Sequence, residues 1–181
     1  MDYNAMTLLK DKRDDERIVS IQRDDVYDSV EDALGDGFIF RQGNRDYQNY
    51  EADFDRADYP EVEHWYVLDV YEHGGIVYSL AGKGHQCQFD TARGGAILGI
   101  PTWEGQGDVK EIARDILDGI NSWANGEVYW YAIEDGHGNM LESCGGFVGR
   151  FDINYEVESA LKHFGGTVTQ LRDDAQWLLD L

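Results

Sequence analysis

Lysine is scarce in this 181-residue chain, which has Lys10, Lys12, Lys83, Lys110 and Lys162 and no others. The basic complement is 15 Lys and Arg against 36 Asp and Glu, a formal net charge of -21. So few cations build no electropositive groove, which argues against contact with bare nucleic acid. Cysteine is nearly absent too. Cys87 and Cys144 stand far apart, and no Cys-x-x-Cys or His-x-x-x-His spacing completes a metal-ligand set. That argues against a structural metal centre and leaves two free, buried thiols in a cytoplasmic protein as the expectation. No stretch approaches the ~18 apolar residues of a membrane span, and Met1 to Lys12 lacks the basic-then-apolar order of a signal peptide. The glycines fit neither the Walker loop nor the dinucleotide fingerprint, and the carboxylates lack calcium-loop spacing, so no cofactor is expected.

What the chain does have is a core. Its residues are 42% hydrophobic and 13% aromatic, whereas an acidic disordered chain would be poor in aromatics. The charge is not confined to a tail. Residues 1–63 carry 18 acidic and 8 basic residues, and residues 64–181 carry 18 and 7. The first segment is denser per residue, and it reads as an acidic N-terminal subdomain (1–63) beside a core domain (64–181). A folded monomer of this size exposes roughly 8,900 Å², or about one net charge per 420 Å². Duplex DNA carries roughly one per 100 Å². Mimicry of DNA therefore requires the carboxylates to cluster on one face.

Hydrophobic periodicity places the elements. Gly37 to Phe40 reads as a short strand. Trp65 to Tyr71 and Ile76 to Leu80 flank Gly74-Gly75 and predict a hairpin, and Ala96 to Ile100 a further strand. Val109, Ile112, Ala113, Ile116, Leu117, Ile120 and Trp123 recur at helical spacing from Asp108 to Ala124, with Asp108 and Glu111 as a capping box and Gly126 as the stop. Val128 to Ile133 and Met140 to Cys144 predict a second hairpin about residues 135–139. Ile153, Val157, Leu161 and Phe164 mark another helix, and Thr169 to Leu179 a last one. The expected class is α+β, a largely antiparallel sheet built from hairpins and packed by two or three amphipathic helices.

Two sets of residues invite a functional reading. A thiol nucleophile needs a base and an orienting group, which Cys144, His73 and Asp90 supply if the fold gathers them; Cys87 with His85 is a rival pair. The competing reading is structural, with Cys144 in a buried strand and His73 at a hairpin turn. The second set is acidic: Asp24, Asp25, Asp28, Glu31, Asp32, Asp53, Asp55, Asp58, Glu61 and Glu63. Tyr47, Tyr50, Phe54 and Tyr59 lie near its later members and could anchor a contact.

Four segments carry a resemblance: Tyr66-Val67-Leu68-Asp69-Val70-Tyr71-Glu72-His73-Gly74-Gly75, Phe89-Asp90, Glu127-Val128-Tyr129-Trp130-Tyr131, and Glu142-Ser143-Cys144-Gly145-Gly146-Phe147-Val148-Gly149. Over Trp65 to Gly149, about half the chain, the sequence resembles a family of small uncharacterised phage and mobile-element proteins. The resemblance implies a phage or plasmid setting. It assigns no residue a role, and the acidic N-terminal part lies outside it.

Together these readings lead to a binding protein and not an enzyme. The expectation is a phage-type inhibitor of a host nucleic-acid-binding defence complex, a CRISPR effector or restriction enzyme, acting in the host cytoplasm. Its carboxylates would occupy a Lys/Arg-lined groove meant for phosphate. The alternatives are a cysteine-dependent hydrolase or transferase using Cys144, and a salt-adapted domain of unrelated function whose self-repulsion is screened by salt.

Overall fold

Antiparallel pairing organises the described residues into two four-stranded sheets. The computed structural model describes residues 6–10, 17–43, 54–102, 106–135 and 137–163. The first sheet has the order β1-β2-β7-β8, with β1 at Met6–Lys10, β2 at Arg17–Arg23, β7 at Val128–Asp135 and β8 at Met140–Val148. The second has the order β3-β6-β4-β5, with β3 at Ile39–Gln42, β4 at Val62–Glu72, β5 at Ile76–Leu80 and β6 at Thr91–Pro101. Among the described residues three helices accompany them: α1 (Val30–Leu34), α2 (Val109–Ala124) and α3 (Arg150–His163). The α+β class and both expected hairpins, β4–β5 and β7–β8, are present.

The expected boundary at residue 63 is not where the chain divides. One compact unit is Asp28–Asn125; the other joins Met1–Tyr27 to Gly126–Leu181. The reason is strand pairing. β2 pairs with β7, more than a hundred residues away, and β3 pairs with β6. The acidic N-terminal residues therefore supply strands to two sheets and form no subdomain of their own. The final helix expected over Thr169 to Leu179 lies outside the described residues.

In the Asp28–Asn125 unit, strand alternation decides which side chains meet α2. Phe38, Phe40, Leu68, Val70, Tyr78, Leu98 and Ile100 form one buried cluster with Ala113, Leu117 and Ile120 of α2 and Val30 of α1. Each large apolar side chain buried there contributes roughly 1.5–3 kcal/mol. Asp108 caps α2 through a hydrogen bond accepted from the Lys110 amide at 2.8 Å. The reciprocal limb expected from Glu111 is not made; the Glu111 amide instead bonds the Asp108 carbonyl. Helix α2 also closes an exposed sheet edge. The side-chain amide of Asn121 accepts from Tyr78 N at 2.7 Å and donates to Tyr78 O at 3.1 Å. Asn125, the C-cap, does the same for Ile76 at 3.0 and 2.7 Å. Two carboxamides one helical turn apart thus take the place of a fifth strand beside β5.

Asp69 fixes the crossover from β5 to β6. It is 3% exposed, the one buried charged residue among those described. Its carboxylate accepts from Gly82 N at 2.8 Å, Gly94 N at 2.9 Å and Gln86 Nε2 at 3.0 Å. Burial pushes this carboxyl up. The hydrogen bonds and the nearby Arg93 guanidinium outweigh that push, so it titrates below the ordinary carboxylate value.

In the other unit, α3 packs on β7 and β8, burying Ile153, Val157 and Ala160. Asp135 accepts from the amides of His137 and Asn139 and from the Asn139 side chain, shaping the β7–β8 turn. The Asn139 side-chain bond, and then its amide, lower the Asp135 carboxyl.

Candidate partner-binding surface

Trp65 neighbours Tyr66 on β4. Tyr66 packs toward α2, so Trp65 projects from the opposite face of the sheet. Its register partner on β6 is Gly99. A Cβ there would stand 2.5 Å from the indole, so glycine is what lets the ring lie on the sheet. Phe54 and Tyr59 close on this ring, with centroids 5.4 and 6.2 Å from it and 5.4 Å from each other. All three are half-buried.

The segment bearing Phe54 and Tyr59 is held at several points. Asp55 caps a 3-10 turn at Arg56–Asp58 by accepting from Ala57 N at 2.9 Å. Val62 N donates to Tyr59 O, and Thr102 N to Glu61 O, each at 3.1 Å. The Tyr59 hydroxyl accepts from Arg41 at 3.3 Å, and Arg41 is in turn paired with Glu31 at 3.0 Å. The turn carries Arg56 over the indole, its guanidinium carbon 5.7 Å from the ring centroid. That lies within cation–π reach.

The ten acidic candidates divide by position and by occupation. Asp24 and Asp25 belong to the unit containing β7 and β8; the others described belong to Asp28–Asn125. Asp53 lies outside the described residues. Asp24 is half-buried and accepts from Gly146 N at 3.3 Å. Gly146, at φ 82°, is the extra residue of a bulge in β8, so Asp24 has a structural task. Glu31 is tied to Arg41, Asp32 accepts from the Ser29 hydroxyl at 2.8 Å, and Asp55 caps its turn. Asp25, Asp28, Asp58, Glu61 and Glu63 are exposed, and among the described residues their side chains make no ion pair. Asp58, Glu61 and Glu63 flank Tyr59 and Trp65 in sequence. Of the aromatic anchors expected there, Phe54 and Tyr59 join the cluster, while Tyr47 and Tyr50 lie outside the described residues.

The thiol candidates are placed differently. Both cysteines are free; Cys87 is half-buried and Cys144 exposed, which corrects the expectation of two buried thiols. Cys144 lies in β8, whose exposed positions reflect its place at the sheet edge. It belongs to one unit, His73 and Asp90 to the other. Burial pushes the Tyr131 phenol up, as does its 2.5 Å hydrogen bond to Glu142, with Glu142, Cys144 and Glu156 adding electrostatically. Cys144 thus neighbours carboxylates, whereas activated thiols sit in electropositive surroundings. His73 and Asp90 do meet, at 3.5 Å, and the thiol that joins them is Cys87, donating to the same Asp90 oxygen at 3.2 Å. The carboxylate stands between thiol and imidazole. Among the described residues no thiol–imidazole hydrogen bond is made. His85 instead packs against Tyr71 with centroids 4.6 Å apart.

The sequence singles out Phe54 and Tyr59 and places Trp65 on a strand, as found, but gives no signal for Arg56. Compared with protein-family models, curated proteins and solved structures, the chain has no match. Among the described residues no helix is long and apolar enough to cross a membrane.

Proposed function

We propose that this protein is an acidic binding protein that engages a basic, nucleic-acid-binding protein of a host cell. The observation that carries the reading is the set of exposed carboxylates at Asp58, Glu61 and Glu63. They make no ion pair among the described residues and flank the half-buried Tyr59 and Trp65 in sequence. Protein interfaces are anchored by buried aromatics, while rim charges steer association and set partner choice. A net charge of -21 adds a long-range field that draws cationic surfaces and repels nucleic acid.

In this reading the carboxylates occupy a Lys/Arg-lined groove otherwise filled by phosphate. The resemblance over Trp65 to Gly149 supports a phage or mobile-element setting. A CRISPR effector or restriction enzyme in the host cytoplasm is then the fitting target, and the protein its inhibitor. The test is capture from bacterial lysate on the tagged chain. The reading expects a nucleic-acid-binding complex, displaced by added DNA or RNA and by salt of roughly 0.5 M, where screening is strong. Recovery of the bait alone, or of a partner that DNA and RNA leave in place, counts against it.

A further inference from the structure

The most built feature of the acidic surface is the Trp65 platform, and its occupant is a cation from the same chain. One side of the indole lies against Gly99, Phe54 and Tyr59 wall it, and the Arg56 guanidinium stands 5.7 Å from its centre. Arg56 is flanked in sequence by Asp55 and Asp58 yet makes no ion pair among the described residues. Its side chain is exposed, carried on a three-residue turn, and makes no hydrogen bond among the described residues. A guanidinium held on an aromatic face in this way is weakly hydrated and readily exchanged for another of the same chemistry.

We propose that the Trp65 face is a seat for one arginine side chain of the partner, and that Arg56 fills it in the free protein. The inference rests on the cationic-partner reading above and adds which cation is recognised, and where. On docking, the partner's guanidinium stacks on Trp65 while its charge faces Asp58, Glu61 and Glu63. Arg56 swings out on its turn without disturbing β4. Arginine is preferred to lysine because its planar, weakly hydrated head stacks on an indole, whereas an ammonium gives up a tighter water shell. Exposed cation–π contacts of this kind correspond to about two- to fivefold in affinity.

The test uses the full chain with two probes of equal charge, a hexa-arginine and a hexa-lysine peptide, titrated by calorimetry at low salt. The inference predicts that hexa-arginine binds about two- to fivefold tighter, and that Trp65→Phe narrows the gap while far-ultraviolet circular dichroism stays unchanged. Arg56→Gln is predicted to tighten hexa-arginine binding more than Lys83→Gln does. Lys83→Gln removes one positive charge from the same unit that is not among the contacts of the platform, and so reports the general effect of charge. Equal binding of both peptides, with Arg56→Gln matching Lys83→Gln, would overturn the seat while leaving charge-driven binding intact. Binding of neither peptide would overturn the seat together with the cationic-partner reading on which it rests.

Discussion

A buried aspartate with three donors aimed at it behaves unlike the exposed carboxylates around it. Asp69 offers both oxygens, one to Gly94 and the other to Gly82 and Gln86, so no lone oxygen is left to be replaced without loss. In Asp69→Asn an amide hydrogen must face one of those donors. The expected cost is roughly 1.5–3 kcal/mol, the range for hydrogen bonds to charged groups, read as a lower urea midpoint. The pH dependence follows from the lowered titration of Asp69. A carboxyl depressed in the folded state stabilises above its unfolded value, 3.8 here, and that stabilisation is lost as pH falls through the folded value. The wild-type margin over Asp69→Asn should therefore be full at neutral pH and shrink below about pH 4. A margin that stays constant through that window would mean the carboxylate charge contributes nothing. The residue scale is also where reading from sequence was weakest. Asp69 sits in the middle of a strand pattern, and nothing local reveals that Gly82 and Gly94 will converge on it.

At the scale of elements, local pattern and long-range pairing part company. Helix α2 was legible because its apolar positions repeat at helical spacing behind a capping aspartate. The β4–β5 and β7–β8 hairpins were legible because glycine-rich turns separate aromatic and β-branched runs. Strand β6 was only half legible. Arg93-Gly94-Gly95 breaks its alternation, and the structure shows a shift of register at that point. The pairing of β2 with β7 has no local signal at all, which is why the N-terminal residues were assigned to a subdomain of their own. Of the candidate surface, the run from Asp55 to Glu63 and the rings of Phe54 and Tyr59 could be read directly. That Trp65 lies on Gly99 is a fact of register between β4 and β6, and no spacing encodes it. The clamp of Asn121 and Asn125 on β5 was equally hidden, although both asparagines lie one turn apart at the end of an evident helix. Replacing both by alanine removes these side-chain hydrogen bonds from the peptide groups of Ile76 and Tyr78 at the sheet edge. The expected loss is about 1–3 kcal/mol, with faster hydrogen exchange at those two amides. Unchanged exchange there would show that the clamp does not protect the edge.

For the whole molecule, both compact units are acidic. Asp28–Asn125 carries 19 acidic and 7 basic residues, net -12, and the rest of the chain holds the remaining -9. The exposed carboxylates of the candidate surface are thus part of a field that neither unit cancels. Self-repulsion of this kind is screened by modest salt. The melting temperature should rise by a few degrees between low salt and roughly 0.2 M and then level off. A steep, continuing gain toward molar salt would instead mark a salt-adapted protein and remove the need for a cationic partner. The most direct test of that partner compares capture from bacterial lysate by the wild-type chain and by the combined variant Asp58→Asn, Glu61→Gln and Glu63→Gln. All three side chains are exposed and make no ion pair among the described residues, so the variant should fold as the wild type does. The predicted result is that the wild-type chain retains a nucleic-acid-binding protein that DNA displaces, while the variant loses at least tenfold of it. Equal recovery by both chains would contradict the assignment of this surface to the partner.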